Sequence, residues 1–247
     1  MTALRLGMIL PSSNTVVEPV ACAMVAELDA QVPCSVHFSR FALTAVQVEN
    51  PAAAYYDSGA LLGAAKLLAD ARCDVICWNG SAGGLVGFER DRRLCAEILA
   101  ATGIPATTSS LALVEQLRLR KVRRFAMVTL NPAPMNLTIK ATFATEGFEC
   151  IADTHRSDIA DNFAMAQVPR SAIATAIREC ALARPEAIIV YGTNTRGAEA
   201  AAPLSQETDI PVYDSVAFGV IGALRTLNIS LSALTSWLPS AQPEAVA

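Results

Sequence analysis

The residues best placed to do chemistry in this sequence lie in two stretches of one design. Asp74-Val-Ile-Cys-Trp-Asn-Gly-Ser-Ala-Gly-Gly84 is an apolar run that breaks into glycine and small polar residues, and Glu186-Ala-Ile-Ile-Val-Tyr-Gly-Thr-Asn-Thr-Arg-Gly197 repeats it. This is the form of a buried strand, a tight loop and a helix start. Ligands of open α/β sheets bind where such loops leave the carboxyl ends of the strands. In the first loop, backbone N–H groups and the Ser81 hydroxyl at a helix start suit a carboxylate or a developing oxyanion. In the second, Thr193 and Asn194 follow Gly192 as small polar residues. Glycine also simply permits a tight turn, so the anion reading needs support from the rest of the chain. No Gly-x-Gly-x-x-Gly follows the first strand and no Gly-Lys-Ser/Thr occurs, which sets nucleotide binding aside.

Moving a proton requires a titratable group near these loops. The candidates are Tyr191 beside Gly192, Asp214 at the next strand end, and His155 with Asp158 on the loop leading to Asn162. Histidine titrates near neutrality and is the commonest acid or base, although a lone loop histidine is usually just solvated. Cys77, three residues before Gly80, reads as core. Glu89-Arg90 reads as the first turn of a helix, where an acidic residue suits the dipole.

The elements that must hold these loops can be read in order. Leu4–Leu10 is strand-length and apolar, and ends in the turn residues Pro11-Ser-Ser-Asn14, with Ser13 or Asn14 as a helix cap. Ser35–Ala42 alternates as a second strand, and Ala53–Ala71 carries an apolar helical stripe. Strand Val75–Trp78, helix Phe88–Ala101, a short strand at Ile104–Thr108 and helix Ser109–Leu119 follow. Arg124–Pro132 then restarts the pattern. It runs through helix Met135–Glu146, strand Phe148–Ala152, a loop from His155 to Asn162, helix Arg170–Ala183 and strand Ala187–Tyr191. Thr102-Gly-Ile-Pro105 and Thr208-Asp-Ile-Pro211 both lead into a short strand and then a helix, so the two halves end alike. Matched landmarks in matched order point to an internal duplication, and alternating strands and helices imply parallel sheets covered on both faces. The expectation is an α/β protein of two lobes, residues 1–110 and 111–214. Residues 215–247 would pack back on the first lobe, with 229–247 a peripheral helix or frayed tail.

Composition narrows the classes of function. The chain has 247 residues, is 53% hydrophobic and 17% charged, and carries a net charge of −4. That is ample material for a core and does not suit a nucleic-acid binder, since the one basic stretch, Arg118–Arg124, reads as a solvated helix end. Seven irregularly spaced cysteines with no Cys-x-x-Cys suggest a reducing cytoplasm and no metal site. Thr15–Leu28, the most apolar helix candidate, is too short to span a bilayer.

Pro11-Ser-Ser-Asn14 with Glu18, the Gly80 and Gly192 loops, and Ile159-Ala-Asp-Asn162 together resemble the Asp/Glu racemase superfamily, in particular its maleate cis–trans isomerases and arylmalonate decarboxylases. The resemblance covers roughly residues 4–228. It implies two Rossmann-like parallel-sheet lobes related by pseudo-twofold symmetry, a small-carboxylate substrate in the cleft between them, and no cofactor. It also permits a homodimer. By the same resemblance Asn14, flanked by Ser13, and Asn162 would bind one carboxylate. Ser81 with the Ala82 and Gly83 amides would hold a second carboxylate or an enediolate. The departures are as informative. Racemases and isomerases of this group place one cysteine at each strand-end loop, and here those positions are Gly80 and Gly192. The decarboxylase branch has glycine at the first position but keeps the second cysteine as proton donor. A tyrosine common to both branches corresponds to Asn131.

The resulting expectation is a cofactor-independent enzyme acting on a small (di)carboxylate, a decarboxylase-like lyase or an isomerase with a backbone and serine oxyanion cradle. Two alternatives stay open: a hydrolase or hydratase in the same cleft, with water positioned by Asn131, Asn194 or Asp214, and a catalytically silent carboxylate-binding protein.

Overall fold

The computed structural model describes residues 3–43, 56, 58–156, 158–159 and 161–239. Its first half runs β1 (Leu4–Pro11), α1 (Val17–Asp29), β2 (Cys34–Phe41), α2 (Ser58–Asp70), β3 (Val75–Trp78), α3 (Gly83–Val86), α4 (Phe88–Thr102), β4 (Ala106–Thr108) and α5 (Ser109–Leu119). The second half runs β5 (Arg124–Val128), α6 (Ala133–Thr145), β6 (Glu149–Thr154), α7 (Asn162–Gln167), α8 (Arg170–Ala181), β7 (Ala187–Val190), α9 (Ala198–Thr208), β8 (Val212–Asp214) and α10 (Ser215–Thr226). The start of the expected Ala53–Ala71 helix lies outside the described residues.

Each half forms a four-stranded sheet, in the orders β2-β1-β3-β4 and β6-β5-β7-β8. Every strand pairing is parallel, and Met8 lies opposite Cys77 as Met127 lies opposite Ile189. The two-residue alternation of a strand assigns each face. Leu6, Met8, Val75 and Cys77 join Phe125, Met127, Ala187 and Ile189 in one central apolar cluster. Ile9, Ile76 and Trp78 face outward under α2 and α4, while Ala126, Val128, Ile188 and Val190 face outward under α8 and α9. The two inner faces therefore share a core, and their strand ends are brought to one cleft.

Two equivalent helices cross between the halves. Thr108 caps α5, accepting the Leu111 N–H at 3.1 Å, and Asp214 caps α10, accepting those of Val216 and Ala217 at 2.8 and 3.3 Å. Helix α10 follows the second sheet in sequence but packs against β3, β4 and α5 of the first. Residues 229–239 do not fray: Leu231, Leu234 and Trp237 are buried in the central cluster, and the Trp237 indole N–H donates to Glu27 at 2.8 Å. Pro239 and the absence of helical periodicity suggested a loose tail, but three spaced apolar side chains suffice to dock a non-helical segment. No helix among the described residues is long and apolar enough to cross a membrane.

Candidate active site

The loops after β1, β3, β5 and β7, with the start of α7, enclose a small cavity of about 60 Å³. Its polar lining is Gly80, Ser81, Asn131, Asn162, Gly192, Thr193 and Asn194, and its apolar lining includes Leu43, Trp78, Leu85, Met135, Ile139 and Met165. No ionisable side chain and no cysteine line it among the described residues. Eight of the residues singled out in the sequence thus meet in one place: these seven polar residues and Ala82.

Hydrogen bonding sorts these residues into those already committed and those still available. The Asn14 side chain accepts from the Val16 and Val17 amides at 3.0 and 2.9 Å, capping α1, and donates to the Thr193 carbonyl at 2.8 Å. Asn194 accepts from the Thr15 amide at 3.0 Å and donates to the Asn162 carbonyl. Asn162 in turn donates to the Ser13 hydroxyl at 2.9 Å, which donates to the Leu43 carbonyl at 2.6 Å. Ser13, Asn14, Asn162 and Asn194 therefore sew the β1 loop, the β7 loop and α7 together, and they shape the pocket by holding one another.

The available groups are different. The backbone N–H groups of Ser81 and Ala82 on one loop, and of Thr193 and Asn194 on the other, have no protein partner among the described residues. The same holds for the side chains of Ser81 and Asn131. Both pseudo-equivalent loops therefore bring unspent donors to one cavity. A buried donor without an acceptor costs free energy, so such a wall is built for a ligand rich in oxygen. The expected helix start behind Ser81 is only the short α3, and Gly87, at φ +107°, separates it from α4. Local amides, rather than a long helix dipole, supply the cradle.

The three acid candidates take other places. Tyr191 is buried behind the loops, where its hydroxyl accepts the Gly84 N–H at 2.8 Å and meets the Ser110 hydroxyl at 3.0 Å. Burial holds its phenol above the ordinary value, so it stays protonated at neutral pH, and its hydrogen bonds latch the two halves. Asp214 is spent on capping α10, and burial pushes its carboxyl up to about 7. His155 is exposed and lines a separate cavity between β5, β6 and α8, with Arg156 and Glu179. Gly83 does not line the interlobe cavity, and it lies against the buried Asp91.

Both glycines are locked in as glycine. A β-carbon on Gly80 would fall 2.4 to 2.8 Å from the Trp78 ring. Gly192 has φ +150°, which side-chain-bearing residues rarely adopt, and its β-carbon would fall 3.0 Å from the Thr195 hydroxyl oxygen. Cys77 is fully buried and its thiol is held well above the ordinary value by burial, so it is no substitute nucleophile.

Arg40 is an organiser that the sequence did not reveal. Its guanidinium donates to the carbonyls of Ser12 and Asn14, each at 2.9 Å, and pairs with Glu18 at 2.8 Å, stapling the β1 loop. Asp91 is a second: it is buried, accepts from the Tyr56 hydroxyl at 2.6 Å, and stands directly behind Gly83. Neither has a sequence signature, because each acts on residues far away in the chain.

Comparison with known proteins agrees with this geometry. The maleate isomerase of Nocardia farcinica is 27% identical over 235 residues, covering 92% of each chain. A structure of a cysteine-to-serine variant of the Nocardia farcinica maleate cis-trans isomerase, with a covalently bound succinylcysteine intermediate, superposes with a TM-score of 0.83 at 24% identity over 92% of this chain and 94% of that one. Arylmalonate decarboxylase superposes with a TM-score of 0.70 at 22% identity, covering 90% and 92% of the two chains. The profile described as "Amdase: Arylmalonate decarboxylase" matches residues 6–236. The chain belongs to the arylmalonate decarboxylase family.

Proposed function

We propose that this protein is a cofactor-independent lyase that decarboxylates a small dicarboxylate whose reacting carbon bears an apolar group. The observation that carries the reading is the pairing of unspent amides from two opposed loops across a cavity with no ionisable lining. One carboxylate would rest against the Thr193 and Asn194 amides, and the other against Ser81 and the Ala82 amide. Leu85, Met135 and Ile139 would take the apolar substituent. The carboxylate on the Thr193 side, shut away from bulk water, is poised to leave as CO2. The bond from the reacting carbon to that carboxylate breaks, and its electron pair moves into the retained carboxylate as an enediolate. The amide cradle stabilises the charge as it develops. Carbon then takes a proton from water, since no side-chain acid lines the cavity among the described residues, and the hydroxide left joins the released CO2 as hydrogencarbonate. Isomerisation through a thiol adduct, the chemistry implied by the succinylcysteine in the Nocardia farcinica protein, finds no thiol here to attack with.

The test is incubation in D2O with an α-aryl-α-methylmalonate, malonate and maleate, followed by NMR. The expected outcome is a monoacid carrying one deuterium at the α-carbon from the arylmalonate, and no fumarate from maleate. Fumarate formation, or water addition without CO2 release, would overturn the reading. A second reading, carboxylate binding without turnover, is favoured by the same lack of a titratable lining. Calorimetric binding of the malonate with no product after long incubation would establish it instead.

A further inference from the structure

Behind each of the two glycines lies a buried side-chain donor with nothing to bond. The Trp78 indole nitrogen is 2.8 Å from the point where a β-carbon on Gly80 would sit, and the Thr195 hydroxyl oxygen is 3.0 Å from the corresponding point on Gly192. Trp78 is 1% exposed and Thr195 is fully buried, and both donor atoms lack a partner among the described residues. Buried polar groups in folded proteins are nearly always paired. Each orphan lies against a glycine that lines the same cavity, and Trp78 itself lines it as well.

We propose that the Trp78 indole N–H is a ligand-binding group, donating a hydrogen bond past Gly80 to a carboxylate oxygen of the bound molecule. The absence of a side chain at residue 80 makes this possible: Trp78 itself lines the cavity beside Gly80, and a β-carbon on Gly80 would collide with its ring. The ring itself fills the space a side chain at residue 80 would take, and Tyr56 packs edge-on against it at 4.8 Å. The indole is therefore held in a fixed pose before any ligand arrives, so little side-chain entropy is lost on binding. An indole nitrogen donates but does not accept, which commits this side of the pocket to an acceptor such as a carboxylate and against an amine or an ammonium group. The inference rests on the carboxylate reading given above.

The chain contains two tryptophans, which makes a direct experiment available. Trp237 already donates to Glu27 at 2.8 Å, so its indole signal serves as an internal reference in 15N-labelled protein. Phenylmalonate is titrated in while calorimetry reports binding and NMR follows the two indole N–H signals. The Trp78 signal is expected to move downfield with the binding isotherm and the Trp237 signal to stay. Trp78→Phe keeps a ring and removes the donor. It should weaken phenylmalonate binding about ten- to hundredfold, the range for a hydrogen bond to a charged group, in a variant whose folded state is checked by its circular dichroism spectrum and by the unchanged Trp237 signal. If phenylmalonate binds while the Trp78 signal stays fixed, or Trp78→Phe binds equally well, this assignment is wrong and the carboxylate reading stands. If no phenylmalonate, malonate or maleate binds at all, both fall.

Discussion

The β3 and β7 loops are built to one plan and finished differently. Each is anchored by the other half: Gly84 of the first by the Tyr191 hydroxyl, and Thr193 of the second by the Asn14 amide. Each is also tied to the serine that opens the crossing helix behind it, Asn79 to Ser109 at 2.8 Å and Gly192 to Ser215 at 3.0 Å. Yet Gly80 owes its identity to the Trp78 ring packed against it, whereas Gly192 owes its identity to its own backbone angle. The two loops exclude a side chain by two unrelated physical routes, and both leave their backbone amides facing one cavity.

The sharpest break in this comparison is to force a side chain back. Gly80→Cys places atoms inside the Trp78 ring, which must leave its packed pose against Tyr56. Overpacking of this kind costs about 1–3 kcal/mol or more, and displacing the indole should also abolish phenylmalonate binding. Gly192→Cys carries a backbone strain of about 1–3 kcal/mol while leaving Trp78 untouched. The expected result is a lowered Tm in both variants but retained binding only in the second. Equal loss of binding in both would show that the Trp78 ring is not what distinguishes the loops.

Buried carboxyls give the next contrast. Asp91 stands behind Gly83 and Asp214 behind Gly197, each with one oxygen unpartnered, and burial raises both carboxyls to about 7. A carboxyl whose folded value lies above its unfolded value holds its proton more tightly when folded. Stability therefore falls as pH rises from about 4 towards 7 and levels off above that. Asp91→Asn and Asp214→Asn each remove one such contribution. Their stability advantage over the parent, read from denaturant unfolding, should grow across that window, reaching on the order of 1–4 kcal/mol at pH 8, and vanish near pH 4. A parallel pH dependence in parent and variant would refute the assignment for that residue.

Tyr191→Phe follows in size. It strands the Gly84 amide, while the Ser110 hydroxyl keeps the Gly80 carbonyl as acceptor, a loss of about 1–3 kcal/mol. If Tyr191 is a latch, Tm falls while the pH profile of turnover keeps its shape. A change in that profile would restore Tyr191 as the acid.

Much of this was open to inspection in the chain. Strand β3 and helix α5 match their expected limits, because a run such as Val75–Trp78 bounded by polar turn residues has one reading. Eight of the site residues were found because loops at strand ends collect ligands whatever the chemistry. The roles of individual side chains were not legible. Asn14 and Asn194 look like ligand donors in sequence and are structural ties in space, because what an amide bonds to depends on residues up to 179 positions away. Helix α7 begins at Asn162, where the expected loop ends, and was not anticipated, since six residues are too few for a helical period to show. Trp78 read only as the last residue of a strand, and it is its unpartnered indole nitrogen beside Gly80 that sets it apart from Cys77.

The smallest effect sharpens the comparison most finely, because it asks whether the two amide pairs share the load. Ser81 and Thr193 are the hydroxyls of the two cradles, and both line the cavity. Removing one neutral hydrogen bond costs about 0.5–1.5 kcal/mol, so Ser81→Ala or Thr193→Val should weaken phenylmalonate binding by only about two- to tenfold. Decarboxylation discriminates between them. If charge develops on the carboxylate held beside Ser81, Ser81→Ala should lower kcat, whereas Thr193→Val, touching the carboxylate that leaves, should chiefly raise KM. The reverse split would place the enediolate on the β7 loop and exchange the roles of the two walls. An equal drop in kcat for both would mean that neither loop is committed, and that the pseudo-twofold design persists in the chemistry as well as in the fold.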